Sequence, residues 1–319
     1  VTQAISRRDR VLGCLVGGAV GDALGYQVEF DHIDTITRAW GPEGVTDLRY
    51  NHVSDDTQMT LFTAEGLLDA EAGGEFGSVR EAYLRWYATQ KEYMPPAGAR
   101  GLAAEPWLYA RRAPGNACLS GLREGGGPGV NMNSKGCGTV MRSAPFGVLA
   151  PSPVAAFGLA ERCSALTHGH PTAGTSAGAF AMIVAHLLDG KGPQLAVSEA
   201  MLHLGNAPGG EETLRALQGA YERAGNVPPA PASTEALGGG WIAEEALAIA
   251  VYCFLGTDDV RAGLVASVSH SGDSDSTGAI LGNLYGAAYG LGALPREWAS
   301  QVEGRETIAA VAERLIARG

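Results

Sequence analysis

Two short stretches carry more oxygen chemistry than their length requires. Val53-Ser54-Asp55-Asp56-Thr57-Gln58-Met59-Thr60 and Gly272-Asp273-Ser274-Asp275-Ser276-Thr277-Gly278 each set two carboxylates among several hydroxyls. An apolar run rich in Gly and Ala follows each stretch, so both read as helix N-termini. Asp and Ser are common there because they cap free backbone N–H groups and complement the helix dipole. One cap accounts for one Asp. It does not account for adjacent Asp55-Asp56 together with Asp273-x-Asp275, since crowded like charges repel unless a cation or a proton intervenes. If the two helix ends meet, four carboxylates and the hydroxyls of Ser54, Thr57, Ser276 and Thr277 form an all-oxygen cage. Such a cage suits Mg²⁺, Mn²⁺ or Ca²⁺, and the lack of Cys or His inside either cluster argues against zinc. Two divalent ions would balance four carboxylates.

The elements that must hold these clusters together are read as almost wholly helical. Ser6 with Asp9 makes a capping-box-like start, and Val11/Leu12, Leu15/Val16, Ala19/Val20 and Ala23/Leu24 recur every four residues as one helix face. Residues 26–31 then carry Glu29 into a loop that runs on to Gly41-Pro42. Further helices are expected over 54–72, 78–90, 153–166, 171–188, 194–204, 211–224, 241–255, 258–270, 275–292 and 305–317. Residues 94–138 are dominated by Gly and Pro, and a long irregular segment of that kind often carries function. Segment 225–240, with Pro228, Pro229, Pro231 and Gly238-Gly239-Gly240, reads as a linker or surface loop. It is not a domain boundary, because the acidic clusters lie on either side of it and need each other. One domain over residues 1–319 is therefore expected, an all-α, compact orthogonal multi-helix bundle. Glycines inside helical runs, such as Gly13, Gly17, Gly18 and Gly21, cost helix propensity but let helices approach closely. No fixed-period repeat supports a solenoid, and the glycine patterns lack the preceding strand of a dinucleotide fold.

Composition narrows the partners. Hydrophobic residues at 45% mark a folded, water-soluble core-former, and a net charge of −11 argues against a general polyanion-binding surface and hence against nucleic acid. The five cysteines, Cys14, Cys118, Cys137, Cys163 and Cys253, are odd in number and form no CxxC pair, which fits a reducing cytoplasm. Arg7, Arg8 and Arg10 before residues 11–20 imitate a secretory signal, but Asp22 interrupts the apolar run. No membrane span is expected; residues 177–188 come nearest and contain His186. A monomer is expected.

Several stretches together resemble the ADP-ribosylglycohydrolase family. They are residues 17–25 (Gly-Gly-Ala-Val-Gly-Asp-Ala-Leu-Gly), Ser54-Asp55-Asp56-Thr57, residues 136–142 (Gly-Cys-Gly-Thr-Val-Met-Arg), Thr167-His168, residues 240–247 and Gly272-Asp273-Ser274-Asp275-Ser276. The resemblance runs in order from about residue 7 to 317, and the Ser-Asp-Asp-Thr and Gly-Asp-x-Asp-Ser pair is its specific part. It implies an all-α fold, a dinuclear Mg²⁺ or Mn²⁺ centre, and hydrolysis of the bond between ADP-ribose and its acceptor. By resemblance, Ser54, Asp55 and Asp56 are the first set of metal ligands. Asp273, Asp275 and Ser276 are the second, with Asp275 as bridge. Glu29 stands for the glutamate beside the scissile bond, and Asp55 and Asp56 also for catalytic positioning. Ser134, Lys135, Gly136, Cys137 and Gly138 match the loop over the pyrophosphate and distal ribose, and His168 the histidine near that ribose. One departure is Cys137, where the family's glycine loop usually has Asn.

The residue types make chemical sense of this. Cleavage at ribose C1 develops oxocarbenium character and needs an attacking water and a proton for the leaving group. Two metals grip vicinal hydroxyls and acidify water, with Glu29 or Asp56 as base. Backbone N–H groups of 134–138 suit a pyrophosphate, with Lys135 or Arg142 adding charge. Each accessory residue also has a plainer reading. His168 and His170 could cap the helix from Pro171; Trp241 and Glu244-Glu245 read as a helix start; Arg142 could be a buried partner of Asp22. Cys137 has no Cys/His/Asn arrangement to make it a nucleophile. For the acceptor, Glu92, Glu105, Trp107 and Tyr109 of the 91–133 loop are candidates to receive a guanidinium. Arginine is favoured as acceptor, with serine or a nucleobase next. A catalytically silent ADP-ribose-binding module, or a hydrolase of another ribosyl compound such as a nucleoside, are the competing functions.

Overall fold

Helix α1 (Arg7–Tyr26) begins where the side chain of Ser6 accepts the N–H of Asp9 at 3.1 Å, and it ends beside a helix from the far end of the chain. A computed structural model describes residues 5–319. The chain continues through α2 (Ile33–Trp40), α3 (Asp55–Asp69), α4 (Glu75–Thr89), α5 (Asn116–Arg123), α6 (Ala144–Leu149), α7 (Pro153–Ser164) and α8 (Pro171–Leu188). Then come α9 (Pro193–Leu204), α10 (Glu211–Ala224), α11 (Pro231–Glu235), α12 (Ala243–Gly256), α13 (Val260–Val268), α14 (Ser274–Tyr289), α15 (Arg296–Gln301) and α16 (Arg305–Arg318). The expected all-α bundle is what forms, with no strand among the described residues beyond one isolated bridge between Gly136 and Ile242.

The pairing of α1 with α14 sets the architecture. The two run antiparallel with glycines at every fourth position turned towards each other: Gly13, Gly17 and Gly21 against Gly286, Gly282 and Gly278. A Cβ on Gly13 would lie 2.6 Å from the Gly290 carbonyl carbon, and one on Gly17, Gly21, Gly278 or Gly282 would collide with backbone of the facing helix. The intrahelical glycines thus give up helix propensity for backbone contact. Their geometric result is that the C-terminal end of α1 lies against the N-terminal end of α14.

α8 runs through the middle, against α6, α7, α9, α12 and α14. By length and composition it could cross a membrane, yet 94% of it is buried inside the protein, so its apolar surface is spent on the core. The long expected helices are all present within a few residues. The ones not expected are short: α2, α5, α6, α11 and α15 have eight residues or fewer, too few turns for a 3.6-residue period to stand out. Segment 225–240 is more than a surface linker. It contains α11, the Tyr252 hydroxyl donates to Ser233 Oγ at 2.9 Å, and Glu235 accepts the N–H of Ser271 at 2.6 Å.

Candidate active site

Three helix ends converge. The last turn of α1 continues as Val28 and Glu29 donate their N–H groups to the Gly25 carbonyl at 2.9 and 3.0 Å, and the N-termini of α3 and α14 face it. One carboxylate oxygen from each of Glu29, Asp273 and Asp275 lies within 4.8 Å of the others. Asp55, Asp56, Asp273, Asp275 and Ser276 line one cleft of ≈ 330 Å³ together with Gly136, Cys137, Gly138 and His168. Two clusters more than two hundred residues apart in sequence therefore meet.

The caps separate the bland reading of these carboxylates from the chemical one. At α3 the cap is Ser54, whose Oγ accepts the N–H of Asp56 at 3.2 Å. Asp22, from α1, accepts the N–H groups of Ser54 and Thr57 and also the Thr57 hydroxyl. At α14 the Asp273 side chain makes no capping bond at all. Asp55 accepts only the Gly115 N–H, at 3.1 Å, and Asp56 Oδ2 is buried with no partner, as is Glu29 Oε2. Helix capping does not use these oxygens, and buried acceptors are otherwise nearly always satisfied.

The charges press on each other. Asp275 is the hub: after burial, its charge is the largest cause raising Asp22 to about 7, Glu29 to about 10, and Asp55, Asp56 and Asp273 well above the usual carboxylate range. Among the described residues no Lys or Arg lines the cleft to relieve this. Hard oxygen donors, unpartnered and short of positive charge, fit divalent cations.

The loop above the cleft is held from behind. Cys137 donates its N–H to the Trp241 carbonyl at 3.1 Å and Ala243 donates to the Lys135 carbonyl at 2.8 Å, pinning 135–137 to the start of α12. Glycine is required at 138 by contact: a Cβ there would lie 2.8 Å from Cys118 Sγ. His168 sits beneath, neutral, pushed down to about 3 by burial and the nearby Arg142. Arg142 donates to Thr167 Oγ1 at 2.7 Å, and Thr167 Oγ1 is 2.7 Å from His168 Nδ1. Nδ1 is thereby engaged by Thr167, and Nε2 is the ring nitrogen turned towards Gly136.

Several expected contributors are elsewhere. Ser134 and Lys135 do not line the cleft; Lys135 bridges Glu212, at 2.8 Å, and Glu244, so its charge braces the loop and is not offered to a phosphate. Arg142 is buried under the loop and does not partner Asp22. His170, not His168, caps α8, its Nδ1 accepting the Thr172 N–H at 3.2 Å. Glu92, Glu105, Trp107 and Tyr109 lie off the cleft, whose wall from that segment is 113–118. Ser54 serves as cap, with its hydroxyl also against Asp275. Three contributors were not assigned to the site from the sequence: Phe30, Asp22 and Trp241. Asp22 stood there as a polar break in an apolar helix, within the family-like stretch 17–25 and as a candidate partner of Arg142, and Trp241 as a helix start. Trp241 is 43% exposed and stacks on Phe30, ring centroids 5.4 Å apart, at the cleft mouth. Phe30 holds a left-handed φ of +72°, a strained choice for an aromatic residue, and is 67% exposed.

An all-helical bundle with a carboxylate-lined cleft at three helix ends defines a class, and comparison with known proteins makes it specific. The model of the ADP-ribosylglycohydrolase family matches residues 3–319. The chain belongs to that family, which is one of glycosidases. It is similar to the ADP-ribosyl-[dinitrogen reductase] glycohydrolase of Rhodospirillum rubrum, 26% identical, covering 93% of this chain and 92% of the relative. The ADP-ribosylarginine hydrolase Tri1 of Serratia proteamaculans is 25% identical over 96% of this chain and 79% of its own length. The mouse ADP-ribosylhydrolase ARH3 is 24% identical over 96% and 90%. A solved structure described as an ADP-ribosylglycohydrolase-related protein complex superposes with a TM-score of 0.73 at 27% identity, covering 98% of this chain and 99% of that one.

Proposed function

We propose that the protein hydrolyses the glycosidic bond between ADP-ribose and a modified protein side chain, arginine first, using two Mg²⁺ or Mn²⁺ ions held by Ser54, Asp55, Asp56, Asp273, Asp275 and Ser276. The observation that carries this reading is the set of buried carboxylate oxygens that neither cap a helix nor meet a cation. Arginine is favoured because similar bacterial proteins are named ADP-ribosylarginine hydrolases. When bound, the ions supply charge neutralisation and Lewis acidity.

The chain's own residues do the rest. Asp275, central among the carboxylates, holds the two ligand sets in register. Glu29 has an unpartnered oxygen and brings its carboxylate to within 4.8 Å of ligand atoms of Asp273 and Asp275, a position from which, once cations neutralise the neighbouring carboxylates that raise it, it can take a proton from an attacking water. Glycines 136 and 138 let the loop backbone approach a diphosphate without side-chain obstruction, and His168 presents the Nε2 edge of an uncharged ring beneath it. Trp241, stacked on Phe30, offers an aromatic face to a base at the mouth of the cleft.

The test is a panel of arginine-, serine- and nucleobase-linked ADP-ribose with Mg²⁺, Mn²⁺ or EDTA. Release of free ADP-ribose from the arginine linkage, abolished by chelation and lowered by orders of magnitude in Asp55→Ala or Asp56→Ala, is expected. Glu29→Gln should bind ADP-ribose nearly as well yet turn over slowly. Binding without cleavage of any linkage under any metal would replace the hydrolase by an ADP-ribose-binding module.

A further inference from the structure

Cys137 stands apart from the other four cysteines, which are all buried; it is partly accessible and lines the cleft. Its Sγ lies 2.6 Å from Asp273 Oδ2 and 3.5 Å from Ser276 Oγ. A second feature of the same cavity asks for a cation: Asp56 Oδ2, on a residue only 2% exposed, has no partner, and the Asp56 charge acts on Cys137. The thiol's hydrogen-bond partners are a carboxylate and a hydroxyl, with no imidazole among them to pair it as a nucleophile.

We propose that Cys137 is a metal ligand of this chain, so that the side of the centre formed by Asp273 and Ser276 is a mixed oxygen–sulfur site preferring thiophilic divalent cations such as Co²⁺ or Cd²⁺ to Mg²⁺. The proposal rests on the metal-centre reading above and adds to its donor set. Two ligand atoms held at roughly 2.1 and 2.3 Å by one tetrahedral ion are about 3.5 Å apart, which is the separation of Cys137 Sγ from Ser276 Oγ. The thiol now directs its hydrogen at Asp273, 2.6 Å away; when the S–metal bond forms, the S–H bond breaks, its proton leaves to solvent, and the Asp273 side chain turns outward to the roughly 3.5 Å that two ligands of one ion require. Sulfur is a soft donor and the remaining ligands are hard oxygens, so this single atom decides which cations gain. The loop can carry the load because Cys137 is the residue whose N–H is tied to the Trp241 carbonyl.

The experiment uses the full chain and Co²⁺ itself as probe. A thiolate-to-cobalt charge-transfer band in the near ultraviolet is expected, absent from Cys137→Ser and retained in Cys118→Ala. In Cys137→Ser, Cd²⁺ affinity measured by calorimetry should fall on the order of tenfold or more while Mg²⁺ affinity changes little. If Co²⁺ raises the melting temperature of the native chain but no such band appears, or the band survives in Cys137→Ser, the sulfur is not a ligand and the proposal is overturned while the metal centre stands. If no divalent cation binds at all, the metal-centre reading itself fails, and the sulfur ligand with it.

Discussion

The carboxylate of Asp22 accepts the backbone N–H of Ser54 at 2.9 Å, across 32 residues of chain, so that a fully buried acid on α1 finishes the cap of α3. It also takes the N–H of Thr57 at 3.0 Å. This relation frees Asp55 and Asp56 from the capping work their positions would otherwise assign them.

Removing that acid strands two buried N–H groups and a hydroxyl. Asp22→Ala should cost about 3 kcal/mol of stability, the range for unsatisfied buried donors, and Asp22→Asn, which keeps one acceptor oxygen, less. Thermal denaturation of the two variants with metal present checks it. Equal losses would show that the cap is not what Asp22 supplies.

The raised carboxylates make the metal-free protein sensitive to pH in a definite direction. Asp22 and Glu29 bind a proton more tightly folded than unfolded; they support the fold below their ordinary values of 3.8 and 4.5, and that support is withdrawn as pH climbs towards about 7 and about 10. His168 works the other way: held down to about 3, it supports the fold above its ordinary 6.5 and loses that support as pH falls towards 3. Above pH 6.5 the His168 contribution is constant. In EDTA, the melting temperature should therefore fall from pH 6.5 to about 9, and saturating Mn²⁺ should flatten the fall. A melting temperature in EDTA that rises over this range would contradict the assignment.

The glycine seam between α1 and α14 has no room for a methyl group. A Cβ on Gly21 would meet the Gly278 carbonyl, backbone against backbone, so Gly21→Ala should cost 1–3 kcal/mol or more, and weaken divalent-cation affinity by parting the helix ends that hold Glu29 and Asp275. Gly77→Ala is the contrast: it lies inside α4 with nothing within 4 Å, and should be neutral or gain up to about 1 kcal/mol. Calorimetry and melting curves on both variants distinguish packing from a general intolerance of glycine replacement.

Trp241 tests the aromatic shelf. Losing a stacked base costs about 1–3 kcal/mol, so Trp241→Ala should weaken ADP-ribose binding roughly tenfold to a hundredfold and leave cation affinity unchanged. Equal binding of ADP-ribose by variant and parent would remove the base from this end of the cleft.

What the sequence alone determined was whatever depends on local order. Long amphipathic or apolar periods fixed α1, α3, α8 and α10 to within a few residues, and the excess of carboxylates at two helix starts marked the cleft before any geometry was known. The short helices stayed hidden because one or two turns carry no readable period. Only the tertiary structure decided the partners of individual polar groups. Lys135 turns to Glu212 and Glu244, Arg142 to Thr167, and Asp22 to α3, because each choice depends on which element packs alongside. Phe30 follows α1 and Trp241 precedes α12; their stacking rests on the segment before α14, whose Gly272 carbonyl accepts the Phe30 N–H and whose Asp273 N–H donates to the Gly239 carbonyl, and neither loop states this by itself.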